Sequence, residues 1–111
     1  MNKNDENIGT QMRKGLMEYC FLIILSKRRV YPSEIIALLK ESNFMVKDAT
    51  VYTVLNRLTK EGKITYQWEE SPLGPPRKYF NITDEGIKAL AVISKVWDEI
   101  SFTINNLKSF T

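Results

Sequence analysis

Apolar residues recur at helical spacing through the first third of the chain. Residues 12–26 are apolar on most faces of a helix, and this pattern predicts a first helix that is buried on more than one side. Residues 1–11 are polar and predict a flexible N-terminal arm. The segment "YPSEIIALLKES" predicts a short second helix, because Pro32 suits a first helical turn and the isoleucines and leucines form one apolar face.

A third helix is predicted across "ATVYTVLNRLTKEG". Asp48 is its predicted N-cap, and Gly62 is the residue predicted to end it. One face of this helix is apolar and should pack on the first two helices. The apolar face comprises Val51, Val54, Leu55 and Leu58.

The pattern then changes to the alternation that is typical of strands. Apolar residues occupy every second position in "ITYQWE" and again in "KYFNI". The connecting "ESPLGPP" holds three prolines and a glycine, so it predicts a loop between two antiparallel strands. Thr83 is the predicted N-cap of a last helix, with Asp84 and Glu85 in its first turn.

This order of elements predicts the fold class. Three helices, a hairpin and a final helix indicate a mainly α protein with a small β-hairpin. The predicted architecture is a winged helix-turn-helix plus a long C-terminal helix. We expect residues 12–83 to form the winged domain and residues 84–111 to form the C-terminal helix.

The last helix carries a heptad pattern. Six apolar positions follow the spacing 3, 4, 3, 4, 3, which is the seam of a coiled coil. A helix from Thr83 to Ser109 would be about 40 Å long, which exceeds the width of a domain of this size. Part of the stripe should therefore pack on a second copy, so residues 84–111 are predicted to be a dimerisation helix. The predicted interface residues are Leu90, Ile93, Trp97, Ile100, Ile104 and Leu107.

The opposite face of the third helix has the residue types that a major-groove helix needs. Small residues let the backbone approach the bases, hydroxyls and amides contact base edges, and cations reach phosphates. Two more cations, Arg77 and Lys78, follow the "GPP" turn and are predicted to project from the hairpin toward phosphates. Residues 12–83 are therefore the predicted DNA-binding domain. The predicted DNA-binding residues are Lys47, Ala49, Thr50, Tyr52, Thr53, Asn56, Arg57, Lys60, Arg77 and Lys78.

Composition is consistent with an anionic partner and argues against an enzyme. The chain has 111 residues and a net charge of +3. The excess lies between Lys27 and Lys78, where ten basic residues stand against six acidic ones. The chain has no histidine, so the commonest general base and metal ligand is missing. We therefore expect no catalytic activity, no cofactor and no metal.

The same sequence predicts a cytoplasmic protein without a membrane partner. The start, "MNKNDENIGTQ", lacks the apolar core of a signal peptide. The apolar run "GLMEYCFLIIL" is too short to span a bilayer. The single cysteine, Cys20, allows no intrachain disulfide and is predicted to be a small buried hydrophobic residue.

Two motifs resemble a known family. "ATVYTVLNRLTKEGKI" resembles the recognition-helix segment of the PadR-type transcriptional regulators, and "GPPRKYFNITDEG" resembles their wing and the entry to their last helix. The resemblance covers roughly residues 12–108 and implies a dimeric DNA-binding factor, usually a repressor, on a palindromic operator. It also implies that Tyr52 and its neighbours approach DNA while Arg77 and Lys78 hold its backbone. The single C-terminal helix is similar to that of the smaller members, some of which sense multiple drugs.

Two interpretations of Trp97 remain open. It is either a packed anchor of the dimer interface or part of a ligand site between symmetry-related rings. Such a site would take a planar aromatic or cationic compound. The resemblance favours the ligand site, because the central tryptophan of the drug-sensing members corresponds to Trp97. The predicted ligand-binding residues are Met12, Leu16, Tyr19, Ile93, Trp97, Ile100 and Ser101.

The sequence therefore predicts a ligand-responsive repressor that binds double-stranded DNA as a homodimer. The alternative is a winged-helix module that contacts proteins without specific DNA binding. That alternative predicts an apolar exposed patch where the third helix carries threonine, asparagine, arginine and lysine, and the sequence shows no such patch.

Overall fold

The computed structural model describes residues 2–111 and has six elements. The helices are α1 (Lys3–Lys27), α2 (Pro32–Glu41), α3 (Asp48–Lys60) and α4 (Asp84–Ser109), and the strands are β1 (Ile64–Ser71) and β2 (Gly74–Ile82). The two strands form one antiparallel hairpin between α3 and α4. The predicted fold class, a winged helix-turn-helix followed by a long C-terminal helix, is confirmed.

The first helix begins earlier than the hydrophobic pattern predicts. The Asn2 side chain accepts a hydrogen bond of 2.9 Å from the backbone N–H of Asp5, and Asp5 and Glu6 lie in the first turn. A capping side chain and acidic residues both stabilise a helix N-terminus. Residues 3–11 are therefore helical where the sequence predicted a flexible arm. Met1, the first residue of that arm, lies outside the described residues.

The core lies where α1, α2, α3 and the base of the hairpin meet. The apolar face of α3 is buried as predicted, and α1 buries residues on only part of its surface. The side chains that are completely or almost completely enclosed are Phe21, Leu22, Val30, Ile35, Val51, Leu55, Leu58 and Ile64. They hold α3 against the first two helices and leave its other face toward solvent.

The ends of α3 differ slightly from the prediction. Lys47 is the N-cap and Asp48 is the first helical residue, and no side chain caps this end. The backbone oxygen of Lys47 accepts from the N–H groups of Thr50 and Val51 at 3.0 and 3.3 Å. Gly62 follows the last turn with φ of 76°, the left-handed conformation that ends helices, as predicted.

The hairpin is longer than predicted, and its turn is shorter. The strands continue to Ser71 and from Gly74, so Pro72 and Leu73 form the turn. Pro75 and Pro76 lie within β2, opposite the irregular pairing between Glu69 and Ser71, where the missing proline N–H groups disturb no regular ladder. The predicted loop over these prolines is therefore partly strand.

The position of the wing cations changes with the register. Arg77 pairs with Glu69 and Lys78 pairs with Trp68, so both cations lie within the ladder and on opposite faces of the ribbon. The prediction that they follow directly on the turn is wrong. They lie closer to α3 than residues at the turn would, because only one or two residues separate them from buried Phe80.

One threonine joins the C-terminal helix to the winged domain. The Thr83 hydroxyl accepts from the Gly86 N–H at 3.1 Å and donates to the Gly62 carbonyl at 2.6 Å, so the predicted N-cap is confirmed. The Thr83 backbone N–H also donates to the Lys63 carbonyl at 3.1 Å. The start of α4 is therefore fixed to the turn that follows α3.

The two terminal helices make the chain elongated. Its radius of gyration is 16.3 Å and its extents are 63 × 36 × 22 Å. A compact domain of this length would have a radius of gyration of about 13 Å. Within residues 2–111, none of the helices combines the length and the apolar character that crossing a bilayer requires.

Candidate nucleic-acid interface

A groove of about 360 Å³ lies between α3, the N-terminus of α2 and the wing. It brings together four of the predicted DNA-binding residues, Tyr52 and Asn56 from α3 and Arg77 and Lys78 from β2. The remaining lining residues are Tyr31, Pro32, Ser33, Leu55 and Phe80. Leu55 and Phe80 are core residues, so the groove is positioned directly by the packing of α3 against the hairpin.

The other predicted residues of α3 extend this surface along the exposed face of the helix. Ala49, Thr53 and Lys60 are exposed. The Thr53 hydroxyl donates to the Ala49 carbonyl at 3.1 Å, so it retains only acceptor capacity toward a base. Lys47 is exposed at the N-cap, and Thr50 is half-buried.

Arg57 does not belong to the groove. It follows Tyr52 by five residues, which turns it about 140° around the helix. Its guanidinium lies 3.0 Å from a Glu18 carboxylate oxygen and 3.3 Å from one of Glu61. Its pKa is raised, chiefly by the hydrogen bond to Glu18. Two carboxylates therefore surround the Arg57 guanidinium, and its contact with DNA stays a prediction.

This ion-pair cluster has a fourth member that connects α1 to the end of α3. Lys63 Nζ lies 2.8 Å from Glu18 and 3.1 Å from Glu61. The hydrogen bond to Glu18 raises the pKa of Lys63, and the hydrogen bond from Lys63 lowers the pKa of Glu61. The cluster is partly exposed, so its contribution to stability is modest, but it orients α3 relative to α1.

Both wing cations lie against aromatic rings. The guanidinium carbon of Arg77 is 5.0 Å from the centre of the Tyr31 ring. Lys78 Nζ is 4.3 Å from the Tyr66 ring and 5.3 Å from the Trp68 ring. These are cation–π distances, and the rings restrict the rotamers of both cations. Both cations line the groove in restricted orientations, Arg77 from one face of the ribbon and Lys78 from the other.

The sequence analysis missed the contribution of α2 to the groove. Tyr31, Pro32 and Ser33 lie at the N-terminus of α2 and line the groove. Tyr31 adds an aromatic ring and Ser33 a small polar side chain to the groove, whereas the Tyr31 N–H is bonded to the Glu34 carboxylate. The signal that could have found it was the "YPS" start of the second helix, which the helix-turn-helix order places beside the third helix.

An exposed apolar stripe runs along α4. Exposed side chains of the predicted seam include Trp97, Ile100, Ile104 and Leu107, and Leu90 and Ile93 are half-buried. Val92 and Val96, which the heptad pattern missed, are also exposed, at 63% and 44%. The stripe is wider than a two-residue heptad seam. Its burial in a dimer remains a prediction.

Trp97 lies beside α1 within the same chain. Its ring centre is 6.4 Å from that of Tyr19, and the Tyr19 hydroxyl lies 3.3 Å from Ser94 Oγ. Leu16, Ile93 and Ser101 are half-buried, whereas Met12 and Ile100 are exposed, at 68% and 46%. The predicted ligand residues thus include the aromatic pair Tyr19 and Trp97, and several side chains that are exposed or half-buried in a single chain. Their role stays a prediction.

Cys20 is half-buried rather than fully buried. Burial raises the pKa of its thiol, and a hydrogen bond involving its own backbone opposes this. A thiol with a raised pKa is a poor nucleophile at neutral pH, which agrees with a packing role in α1.

The fold and the groove together define the class of this protein. A helix-turn-helix, a hairpin and cations beside the exposed face of α3 constitute a winged-helix protein. The profile of the family described as "Transcriptional regulator PadR-like family" matches residues 21–92. The chain belongs to the PadR-like family of transcriptional regulators, and its class of function is DNA binding in transcription regulation.

Two solved structures and one sequence relative agree with this assignment. A PadR-like transcription factor from Bacteroides fragilis is 40% identical, with a TM-score of 0.78 over 91% of this chain and 98% of that one. A PadR-like transcriptional regulator from Bacillus cereus is 38% identical, with a TM-score of 0.79 over 91% and 99%. An uncharacterised protein from Lysinibacillus sphaericus is 30% identical over 83% of this chain and 87% of its own length.

Proposed function

We propose that the protein is a sequence-specific repressor that binds a palindromic operator as a homodimer in the cytoplasm and responds to a small molecule. Residues 12–83 act as the DNA-binding domain, and residues 84–111 act as the dimerisation helix. The observation that carries the proposal is the groove in which α3 and the wing bring together Tyr52, Asn56, Arg77 and Lys78. A groove that combines an amide, a phenol and two cations suits base edges and phosphates at once.

The positions of these residues indicate which of them contact bases and which contact phosphates. The exposed face of α3 enters the major groove, where Thr53 accepts from base amino groups and Asn56 donates and accepts. Arg77 and Lys78 hold the phosphates beside that groove. In a two-fold dimer, the two α3 helices would contact half-sites about 34 Å apart, which is why we propose a palindromic operator.

The test of this function is binding to DNA from upstream of the protein's own gene, measured across a salt series. We expect saturable binding that falls steeply with salt and survives an excess of unrelated competitor DNA. A reporter gene under that promoter should be repressed when the protein is present. Weak binding that is equal for all DNA would leave the protein-interaction module as the better description.

Removing the two wing cations should weaken binding to every sequence. For Arg77→Ala combined with Lys78→Ala, we expect the slope of log K against log salt to fall by up to about two. The slope reports the number of phosphates neutralised, so it separates a phosphate contact from a base contact. Lys88→Ala combined with Lys95→Ala is the matched control, because both residues are exposed cations on α4. An unchanged slope in the double variant would contradict the proposed role of the wing.

The proposed effector site lies around Trp97 in the dimer. It is formed by the predicted ligand residues of α1 and α4, and two symmetry-related Trp97 rings flank the bound compound. The partial exposure of Trp97, at 39%, and its contact with Tyr19 support an aromatic site that a partner chain completes. Planar aromatic or cationic compounds are the class of effector that we propose.

Trp97→Ala should weaken the binding of a planar cationic dye strongly. The expected result is loss of tryptophan quenching by the dye and at least a tenfold rise in Kd by calorimetry, since the ring supplies most of the stacking area. Trp68→Ala is the control for quenching, because Trp68 lies on the wing. Unchanged dye affinity in a Trp97→Ala protein that still dimerises would contradict the ligand site.

A further inference from the structure

The junction between α1 and α2 carries three consecutive cations, Lys27, Arg28 and Arg29. The two arginines have different neighbours. Arg28 Nη1 lies 2.9 Å from a Glu34 carboxylate oxygen, so its charge is paired. Arg29 has no carboxylate within ion-pairing distance among residues 2–111. Its guanidinium carbon instead lies 4.5 Å from the centre of the Tyr79 ring.

Arg29 forms one end of a stack of four planar groups. The Tyr79 ring lies 4.3 Å from the Tyr31 ring at an interplanar angle of 31°, and the Tyr31 ring lies 5.0 Å from the Arg77 guanidinium carbon. The order is therefore cation, ring, ring, cation. We call these four residues the Arg–Tyr stack. Arg77 already lines the groove beside α3, so the stack continues from that groove toward the α1–α2 junction.

Backbone hydrogen bonds hold the stack together. Val30 and Phe80 exchange two such bonds, of 3.1 and 2.8 Å, in an isolated antiparallel bridge. This bridge places residue 31 opposite residue 79 on the edge of the hairpin. Both Val30 and Phe80 are buried core residues, so the stack rests on a part of the fold that does not depend on exposed side chains.

A guanidinium over a ring keeps its hydrogen-bonding edge free. The ring contacts the face of the planar group, whereas the five N–H donors point outward in the plane. The ring also limits the rotamers of the arginine, which lowers the entropy lost when the guanidinium is fixed by a phosphate. An arginine held in this way and left without a carboxylate partner is suited to bind a phosphate.

We propose that Arg29 is an additional phosphate-binding residue of the DNA interface, and that Tyr79 and Tyr31 are positioning residues that orient Arg29 and Arg77. The proposal rests on the proposed DNA binding and extends its surface beyond the groove. Two acids lie near the stack. Glu34 is occupied by Arg28 and by the Tyr31 N–H at 2.9 Å, and Glu69 is the cross-strand partner of Arg77. The Arg29 end is therefore the less acidic end.

The test compares Arg29→Gln with Arg28→Gln in DNA binding across a salt series. We expect Arg29→Gln to reduce the salt slope by about 0.9, the contribution of one phosphate contact, and to weaken binding to every sequence several-fold. Arg28→Gln removes the same charge from the neighbouring position and should leave the slope within error of the wild type. A wild-type slope in Arg29→Gln, or equal losses in both variants, would overturn the proposal.

The role of the rings needs variants that separate stacking from folding. Tyr79→Phe keeps the ring and should bind DNA like the wild type, whereas Tyr79→Leu should bind several-fold more weakly at an unchanged unfolding midpoint. Wild-type affinity in Tyr79→Leu would overturn the positioning role. Absence of salt-dependent DNA binding in the wild type itself would instead remove the proposed function, so the two failures are distinguishable.

Discussion

Replacing Ile104 with glutamate should make the protein monomeric and lower its affinity for a palindromic operator by about 10²–10⁴-fold, the usual gain from linking two binding modules. Ile104 lies in the exposed apolar stripe of α4 and is 46% exposed in one chain. A carboxylate at this position would be desolvated between two helices without a partner, which strongly opposes association. The monomer would retain one intact α3 and wing, so it should keep weak binding to any DNA.

The measurements are the mass in solution by light scattering and the Kd for the operator and for a half-site. Asn105→Glu is the matched control, because Asn105 is the next residue, is also exposed and points about 100° away around the helix. It introduces the same charge and should leave the dimer intact. A dimeric Ile104→Glu protein, or equal dissociation in both variants, would contradict the proposed interface along α4.

Much of the fold could be predicted because local patterns specify it. Gly62, Thr83 and the alternation of β1 identify the end of α3, the start of α4 and the hairpin from a few neighbouring residues each. The start of α1 could not be predicted in the same way, since residues 3–11 have no apolar periodicity. Only the Asn2 cap marks where the helix begins. The pairing register of the two strands was not predicted. A strand can contain Pro75 and Pro76 here only because the opposite strand pairs irregularly between Glu69 and Ser71.

Helical periodicity alone could not predict which residues the side chains of the candidate site contact. Periodicity placed Arg57 near the exposed face of α3, but not beside Glu18, which is 39 residues away in the chain. The sequence predicted that Arg77 projects from the hairpin toward phosphates and gave no indication that Tyr31 would stack against it. Both facts depend on contacts between distant segments, which a single sequence does not reveal. The exposed face of α3 was accessible to prediction because the adjacent apolar face had to be buried.

Gly86→Ala should destabilise the protein by about 2–4 kcal/mol, at the upper end of what overpacking costs. A Cβ atom at Gly86 would lie 2.0 Å from the Lys63 carbonyl oxygen and 2.7 Å from Ile82 Cγ1. The nearest atom belongs to the backbone, and the same Lys63 oxygen accepts the Thr83 N–H. The first turn of α4 would have to move away from the winged domain, which would weaken the Thr83 cap and its bond to Gly62.

Gly15→Ala separates this steric effect from the general consequence of replacing a helical glycine. A Cβ at Gly15 meets no heavy atom within 4 Å, so the substitution should stabilise α1 by about 0.5–1 kcal/mol through helix propensity alone. Both variants should be compared by urea unfolding at one protein concentration, because association contributes to the measured stability. If Gly86→Ala were as stable as Gly15→Ala, α4 could not be packed directly on the turn after α3.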